Sequence, residues 1–385
     1  MTTPRHGRST TAVHGPLSRR QPDQPVVQPV YQSTTYVNAI GSDREVMYER
    51  YGNTPNQLAL AAKYALLEGA EAAVFLSSGM AATAMAHLAV LRPGDHLIAS
   101  EWIYGGTRRL FDEEFDRFGI AITYVVPTQP RAWRRAVKKN TRAVFFESPT
   151  NPVMRVVDPA PVTAITKEFG LALLVDSTFA SPINFRPIEH GADIVITSAT
   201  KYLNGHSDVT GGAVAGTQSL VDEVIRLSRV WGSSLDSHSA WLLDRGMKTL
   251  AIRVERQNAT GLAVAQWAAN QPNVAEVHYP GLTSHPDHAI AARILSGFGG
   301  MVGLVIRGGT EAAERFLHRL RIVTHAPSLA GVESLVSEPR ITSHAALTPE
   351  QRQALGITDG MVRLSCGIED AEDLIADLRH ALDGV

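Results

Sequence analysis

From about Gln57 onward the chain alternates short apolar runs with stretches rich in Ala, Glu, Lys and Arg. Apolar residues at helical spacing predict a helix over Asn56–Leu67, a strand over Ala73–Leu76 and a second helix over Gly79–Leu88. Further strand-like runs follow at His96–Ala99, Ile122–Val125, Ala143–Phe146, Leu171–Val175 and Ile194–Ile196. Continuous apolar runs with helical segments between them predict a mostly parallel sheet, because crossover helices cover both of its faces. A long helical stretch over Ser237–Ala269 then leads to a region where strands (Met301–Ile306, Met361–Leu364) and amphipathic helices (Glu311–Leu320, Ala371–Leu382) mix without strict alternation. The expected fold class is therefore α/β, with a mostly parallel large domain over residues 57–245 and a smaller α+β C-terminal domain over 246–385. Residues 1–56 form an N-terminal segment. To about Pro29 it is rich in Arg, Pro, Gln and Ser, and reads as an extended arm, either disordered or lying across a partner subunit.

Composition narrows the function classes. The chain has 385 residues and a formal net charge of -2, so no global field draws it to nucleic acid or anionic lipid. Its single cysteine, Cys366, excludes an internal disulfide framework and a cysteine-rich metal site, and fits a reducing, cytoplasmic setting. No run approaches the roughly 18 apolar residues of a membrane span, and the N-terminus lacks the apolar stretch of a secretory signal. Small-molecule chemistry without metal or nucleic acid is the expectation.

Ligands of an open parallel sheet bind beyond the carboxyl ends of its strands, so the residues after each strand matter most. The Ala73 strand runs into Ser77-Ser78-Gly79-Met80-Ala81, a small-residue turn opening a helix, where free N–H groups favour a phosphate. The Leu171 strand ends in Asp176-Ser177-Thr178. A carboxylate there must meet water, a cation or a protonated ligand nitrogen such as that of pyridoxal-5′-phosphate (PLP), unless it merely caps a helix. The strand at Asp193 ends in Ser198-Ala199-Thr200-Lys201, followed by a glycine-rich segment. A lysine buried at such a place loses its proton more readily and can attack an aldehyde, while the two hydroxyls before it suit the phosphate of the same cofactor.

Ser-Ala-Thr-Lys-Tyr-Leu-Asn-Gly-His-Ser-Asp-Val, with Asp176-Ser177-Thr178-Phe179 upstream, resembles the Cys/Met-metabolism (trans-sulfuration) family of fold-type I PLP-dependent enzymes. That family includes cystathionine γ-synthase, cystathionine γ-lyase, methionine γ-lyase, cystathionine β-lyase and the O-acylhomoserine sulfhydrylases. The resemblance runs from about Pro29 to the C-terminus, with the landmarks in order. It implies that Lys201 is the Schiff-base lysine and proton shuttle, and that Asp176 partners the pyridine nitrogen with Thr178 beside it. It implies a phosphate cradle of Ser198, Thr200, Gly79 and Met80, with Tyr104 of Trp102-Ile103-Tyr104-Gly105-Gly106-Thr107 stacked on the ring and assisting catalysis. Tyr104 read alone is a packed amphipathic side chain, and Arg109, just beyond, is either a substrate-carboxylate ligand or a surface charge.

By the same resemblance, Tyr48 and Arg50 reach into a neighbouring subunit to bind phosphate, which implies a homodimer or homotetramer with shared sites. The family's Asn-Pro-Thr stands here as Asn53-Thr54-Pro55. Asn151, in Glu147-Ser148-Pro149-Thr150-Asn151-Pro152, is implied to lie beside the cofactor, while Ser328 and Arg363 hold the substrate α-carboxylate. In the closing loop, Pro327 stands where many cystathionine-specific members carry a glutamate, and Ala326-Pro327-Ser328 followed by Glu333-Ser334 is similar to plant-type γ-synthases. Gly106 stands where methionine γ-lyases often have cysteine, and Glu333-Ser334 where sulfhydrylases commonly have Lys-Ser. The expected order is cystathionine γ-synthase or γ-lyase first, methionine γ-lyase second and sulfhydrylase third. A secondary-metabolism relative, an aminotransferase and a catalytically silent relative are the remaining alternatives.

Overall fold

A computed structural model describes residues 6–17, 21–345 and 347–385. The first sheet has seven strands: β1 (Ala72–Leu76), β2 (His96–Ser100), β3 (Ala121–Val125), β4 (Thr141–Glu147), β5 (Ala172–Asp176), β6 (Ile194–Thr197) and β7 (Gly212–Gly216). Their order is β1-β7-β6-β5-β4-β2-β3. All neighbours are parallel except β7, which runs antiparallel to both β1 and β6.

Both faces of this sheet are apolar because alternate side chains of each strand enter different cores. Leu97, Ala99, Phe145, Leu174 and Ile196 pack in one cluster with Met85 and Ala86 of the Gly79–Val90 helix and Val221 and Val224 of the Gln218–Trp231 helix. Ile98, Val144, Phe146, Leu173 and Val175 point the other way, into a cluster with Val162 and Ile165 of the Pro159–Phe169 helix. Each large aliphatic side chain buried this way contributes about 1.5–3 kcal/mol over its exposed state, which holds the strand ends in register.

The second sheet has five strands: β8 (Val274–His278), β9 (Met301–Ile306), β10 (Thr324–His325), β11 (Leu335–Ser337) and β12 (Met361–Ser365), in the order β10-β11-β12-β9-β8. Its core unites Val302, Leu304, Val362 and Leu364 with Phe316 of the Gly309–Arg319 helix and Leu374 and Leu378 of the Ala371–Leu382 helix.

Three expectations from the sequence change. The helical stretch beginning at Ser237 is two helices, Ser237–Met247 and Leu250–Ala268, with Lys248 and Thr249 between them. The boundary expected after residue 245 falls inside the first. Strand β7, within the glycine-rich segment after Lys201, carries little strand signal because only Val214 is bulky. The N-terminal segment is not wholly extended: Arg8–His14 is a helix, and its Ala12 is buried in the same core as Leu60 and Val254. Residues 1–5 and 18–20 of that segment lie outside the described residues.

Candidate active site

The carboxyl ends of β1, β4, β5 and β6 open onto one cavity of about 440 Å³, closed on its far side by the 327–329 loop and by Arg363 of β12. Gly79, Met80, Tyr104, Asn151, Asp176 and Thr178 line it, as do Ser198, Thr200, Lys201, Ser328 and Arg363.

Lys201 lies in the turn after β6, and its Nζ donates to Ser328 Oγ at 2.8 Å. Burial, reinforced by the positive charge of Arg363, lowers its pKa from 10.5 to about 8. Much of the amine is therefore neutral in mildly alkaline solution, the form that attacks a carbonyl carbon.

Asp176 and Glu147 end adjacent strands and are paired in register. Asp176 Oδ1 accepts the Thr178 N–H at 2.8 Å, and burial raises its pKa to about 6 despite that bond. Glu147 accepts the Tyr104 N–H at 2.6 Å, and burial together with the neighbouring Asp176 lifts it well above the usual carboxylate range. Two carboxylates this close do not ionise together readily. Burial and mutual repulsion therefore push the pair away from carrying two charges, and both carboxyl groups line the cavity. The bond to Thr178 is a turn bond and not a helix cap, since the next helix begins at Ser181 with Ala180 before it, so the helix-capping reading of Asp176 is corrected.

The Gly79–Val90 helix begins at the cavity. Ser78 caps it by accepting the Ala81 N–H at 3.1 Å, so the N–H groups of Gly79 and Met80, in the first turn, have no intrahelical acceptor. A Cβ on Gly79 would sit 2.9 Å from Ser198 Cβ and Oγ, so only glycine lets the helix start meet the Ser198 turn. Thr178 Oγ1 accepts the Ser198 N–H at 2.9 Å and joins the β5 and β6 turns. The Thr200 hydroxyl is engaged with Gly211, donating to its carbonyl at 3.2 Å and accepting its N–H at 3.0 Å.

Arg363 is 5% exposed, and burial lowers its pKa to about 10. Its Nη1 donates to Asn151 Oδ1 at 2.8 Å and its Nη2 to the Ser328 carbonyl at 3.2 Å, while its Nε is buried without a partner. A buried guanidinium with a spare donor calls for an anionic acceptor, and a carboxylate matches its fork. Ser328 and Ala330 reach this arrangement at positive φ, 88° and 63°, and the Ala330 N–H is held by Ser365 Oγ at 2.7 Å.

Three expected residues lie elsewhere. The Arg109 side chain is 70% exposed and paired with Glu113 one helical turn away, so its surface-charge reading describes it and the substrate-carboxylate reading is corrected. Tyr48 and Arg50 stand outside the cavity of their own chain. The Arg50 guanidinium lies 5.5 Å from the Tyr48 ring and 5.2 Å from that of Tyr51, and donates to the Arg229 carbonyl. Sequence reasoning did not single out Thr342 and Ser343, which line the cavity from a segment far along the chain with no motif to mark it. Their only signal is spatial: a Cβ on Gly105, beside Tyr104, would lie 2.2 Å from the Ser343 carbonyl.

The residues present fit PLP. A glycine-fronted helix start and a serine turn form a cradle for its phosphate, a charged carboxylate at a strand end suits its ring nitrogen, and a buried amine of lowered pKa suits its aldehyde. Such a set beyond the carboxyl ends of a mostly parallel sheet defines a PLP-dependent enzyme.

Comparison with known proteins agrees and is more specific. The chain belongs to the Cys/Met metabolism PLP-dependent enzyme family, whose model matches residues 9–383. It is 40% identical over 376 residues to a cystathionine beta-lyase of Lactococcus lactis subsp. cremoris, covering 97% of this chain and 98% of that protein. It is 40% identical over 380 residues to a cystathionine gamma-synthase of Mycobacterium leprae, covering 98% and 97%. Among solved structures, cystathionine gamma synthase from Xanthomonas oryzae pv. oryzae, in complex with aminoacrylate and cysteine, superposes with a TM-score of 0.94 at 38% identity, covering 99% of this chain and 98% of that one. The expected fold, the PLP cofactor and a small-molecule amino-acid substrate follow from that membership. No helix among the described residues is long and apolar enough to cross a membrane.

Proposed function

We propose that this enzyme carries out γ-replacement or γ-elimination on a sulfur-containing or O-acylated homoserine-derived amino acid, as a cystathionine γ-synthase or γ-lyase does. The observation that carries the proposal is the Lys201 amine, 2.8 Å from Ser328 Oγ, in one cavity with Asp176 and Arg363.

When bound, PLP supplies an aldehyde for amine condensation and a conjugated ring that takes up the electron pair left at the substrate Cα. Lys201 would anchor it, and the same amine, whose lowered pKa brings its neutral form within reach in mildly alkaline solution, would take the proton from Cα and carry it onward. Asp176, at the end of β5, would face the ring nitrogen, whose positive charge would favour the ionised carboxylate. The N–H groups of Gly79 and Met80 with Ser198 and Thr200 bind the phosphate, and Thr178 ties their turns together. Tyr104, 42% exposed at the cavity mouth, covers the ring face and assists proton transfer. Arg363 binds the substrate α-carboxylate, with Asn151 and Ser328 orienting it.

Tyr48 and Arg50, turned away from their own cavity, complete the phosphate site of a neighbouring subunit, which makes the enzyme a homodimer or a homotetramer of such dimers. A cytoplasmic location fits a lone buried cysteine. The similarity to cystathionine beta-lyases favours β-elimination as a second reading, since it uses the same groups up to removal of the Cα proton.

Product analysis separates these. The holoenzyme is incubated with L-cystathionine, L-methionine, O-acetylhomoserine or O-succinylhomoserine, each with and without cysteine. Release of 2-oxobutanoate and ammonia, or formation of cystathionine from an ester and cysteine, is the expected result. Pyruvate from cystathionine with no 2-oxobutanoate establishes the β-reading instead, and absence of product from every substrate refutes both.

A further inference from the structure

We infer that Asp287 is a positioning residue for substrate recognition: through Arg155 it holds the loop that carries Asn151, and through Asn151 it sets the guanidinium of Arg363. The inference rests on the reading of Arg363 as the group that binds the substrate carboxylate.

Asp287 is 3% exposed and lies outside the cavity, just before the His288–Ile294 helix. Both of its oxygens grip Arg155, Oδ2 at 2.6 Å from Nε and Oδ1 at 3.0 Å from Nη2. Oδ2 also accepts the Val156 N–H at 2.9 Å, and the Asp287 N–H donates to His285 Nδ1 at 3.2 Å. A two-point fork of this kind determines tilt as well as distance, which a single ammonium contact does not. The guanidinium is held on its face too, since its Cζ stands 4.4 Å from the Trp102 ring, on the segment that leads to Tyr104.

From Arg155 the connection is short. Its carbonyl accepts the Thr150 N–H at 2.9 Å, and its N–H donates to Thr150 Oγ1 at 3.1 Å, closing a tight loop in which Asn151 follows Thr150. Asn151 Oδ1 then accepts Arg363 Nη1 at 2.8 Å. Each link from Asp287 to Arg363 is thus a covalent or hydrogen bond. A buried ion pair adds little net stability over apolar groups of the same shape, whereas its geometry dictates where the attached loop sits. Misplacing that loop moves the carboxylate-binding fork before it disturbs the fold.

The test compares two ligands of the holoenzyme by the absorbance change of the bound cofactor. L-norleucine has no leaving group, and n-pentylamine is the same molecule without its carboxylate. Asp287→Asn keeps the shape and an acceptor for Val156 but removes the charge, while Arg155→Lys keeps a charge but not the fork. Each variant is expected to lose roughly tenfold in affinity for norleucine while binding pentylamine like the parent, with unchanged cofactor content. Equal weakening of both ligands in both variants marks a purely structural role and overturns the inference, as does no change. Arg363→Lys is titrated alongside. If it abolishes the preference for norleucine and Asp287→Asn leaves that preference intact, the inference alone fails; if Arg363→Lys also leaves it intact, the carboxylate reading of Arg363 fails.

Discussion

Replacing Lys201 by Met should abolish turnover and yet make the cofactor-free protein more stable near neutral pH. The lysine pKa falls from 10.5 to about 8 on folding, which corresponds to a penalty of about 3 kcal/mol for keeping a buried ammonium at pH 7. Methionine removes that penalty but also the 2.8 Å bond to Ser328, worth about 1 kcal/mol, leaving a net gain of about 2 kcal/mol. For 385 residues the unfolding entropy is about 0.8 kcal/mol per degree, so the melting temperature should rise by about 2–3 °C. The pH dependence supplies the sharper check. Because the folded pKa lies below the unfolded one, the unfolded chain binds the extra proton between pH 8 and 10.5, and wild-type stability climbs across that window. The advantage of the methionine variant should be full below pH 8 and gone by about pH 10.5. Thermal melts of both apo-proteins by circular dichroism, at pH 7, 9 and 10.5, measure it. A variant less stable than wild type at pH 7, or an advantage that persists undiminished to high pH, would show that burial does not penalise the charged lysine.

Gly79→Ala places a methyl group 2.9 Å from Ser198 and should widen the phosphate cradle; PLP retention on dialysis is expected to fall roughly tenfold, and unchanged retention would remove the cradle from this helix start. Arg109→Ala should leave KM for the amino-acid substrate within about twofold of wild type, since the side chain sits on the outer surface with Glu113, and a tenfold rise would return it to the site. Chains carrying Arg50→Ala mixed with chains carrying Lys201→Ala should regain activity, because one hybrid cavity then holds both intact groups; confirmed mixed dimers without recovery would argue that each subunit completes its own site.

The strands were legible where their chemistry is unambiguous. Ala73–Leu76, Ala143–Phe146 and Ile194–Ile196 are apolar at every position because strands covered on both faces have no polar side to show, and each falls within an observed strand. Strand β7 was not legible. Its small residues have weak strand preference, and its place between β1 and β6 depends on a tertiary fit: a Cβ on Gly212 would lie 2.0 Å from the Ser78 carbonyl. The Ser237 stretch reads as one helix because no proline marks its break; the break belongs to the packing, where Gly246 lies against the Asn204 carbonyl. The Arg8–His14 helix has the same origin, since seven residues do not hold a helix in water and Ala12 gains its burial only from distant parts of the chain.

For the site, sequence order determined which groups stand at strand ends. Asp176 and Lys201 stand where a sheet of this kind places ligand groups, while their roles came from the resemblance to the family, and the glycine at the start of the Gly79–Val90 helix is a local requirement that local sequence displays. What the tertiary structure alone decided is direction and partnership. Arg109 and Arg363 are the same residue type near plausible motifs, yet one ends on the surface with Glu113 and the other beneath the cavity with a free Nε. The coupling of Glu147 with Asp176 and the connection from Asp287 to Asn151 likewise arise from residues brought together across strands and loops. Burial and electrostatic coupling depend on distances through space, and spacing along the chain does not contain them.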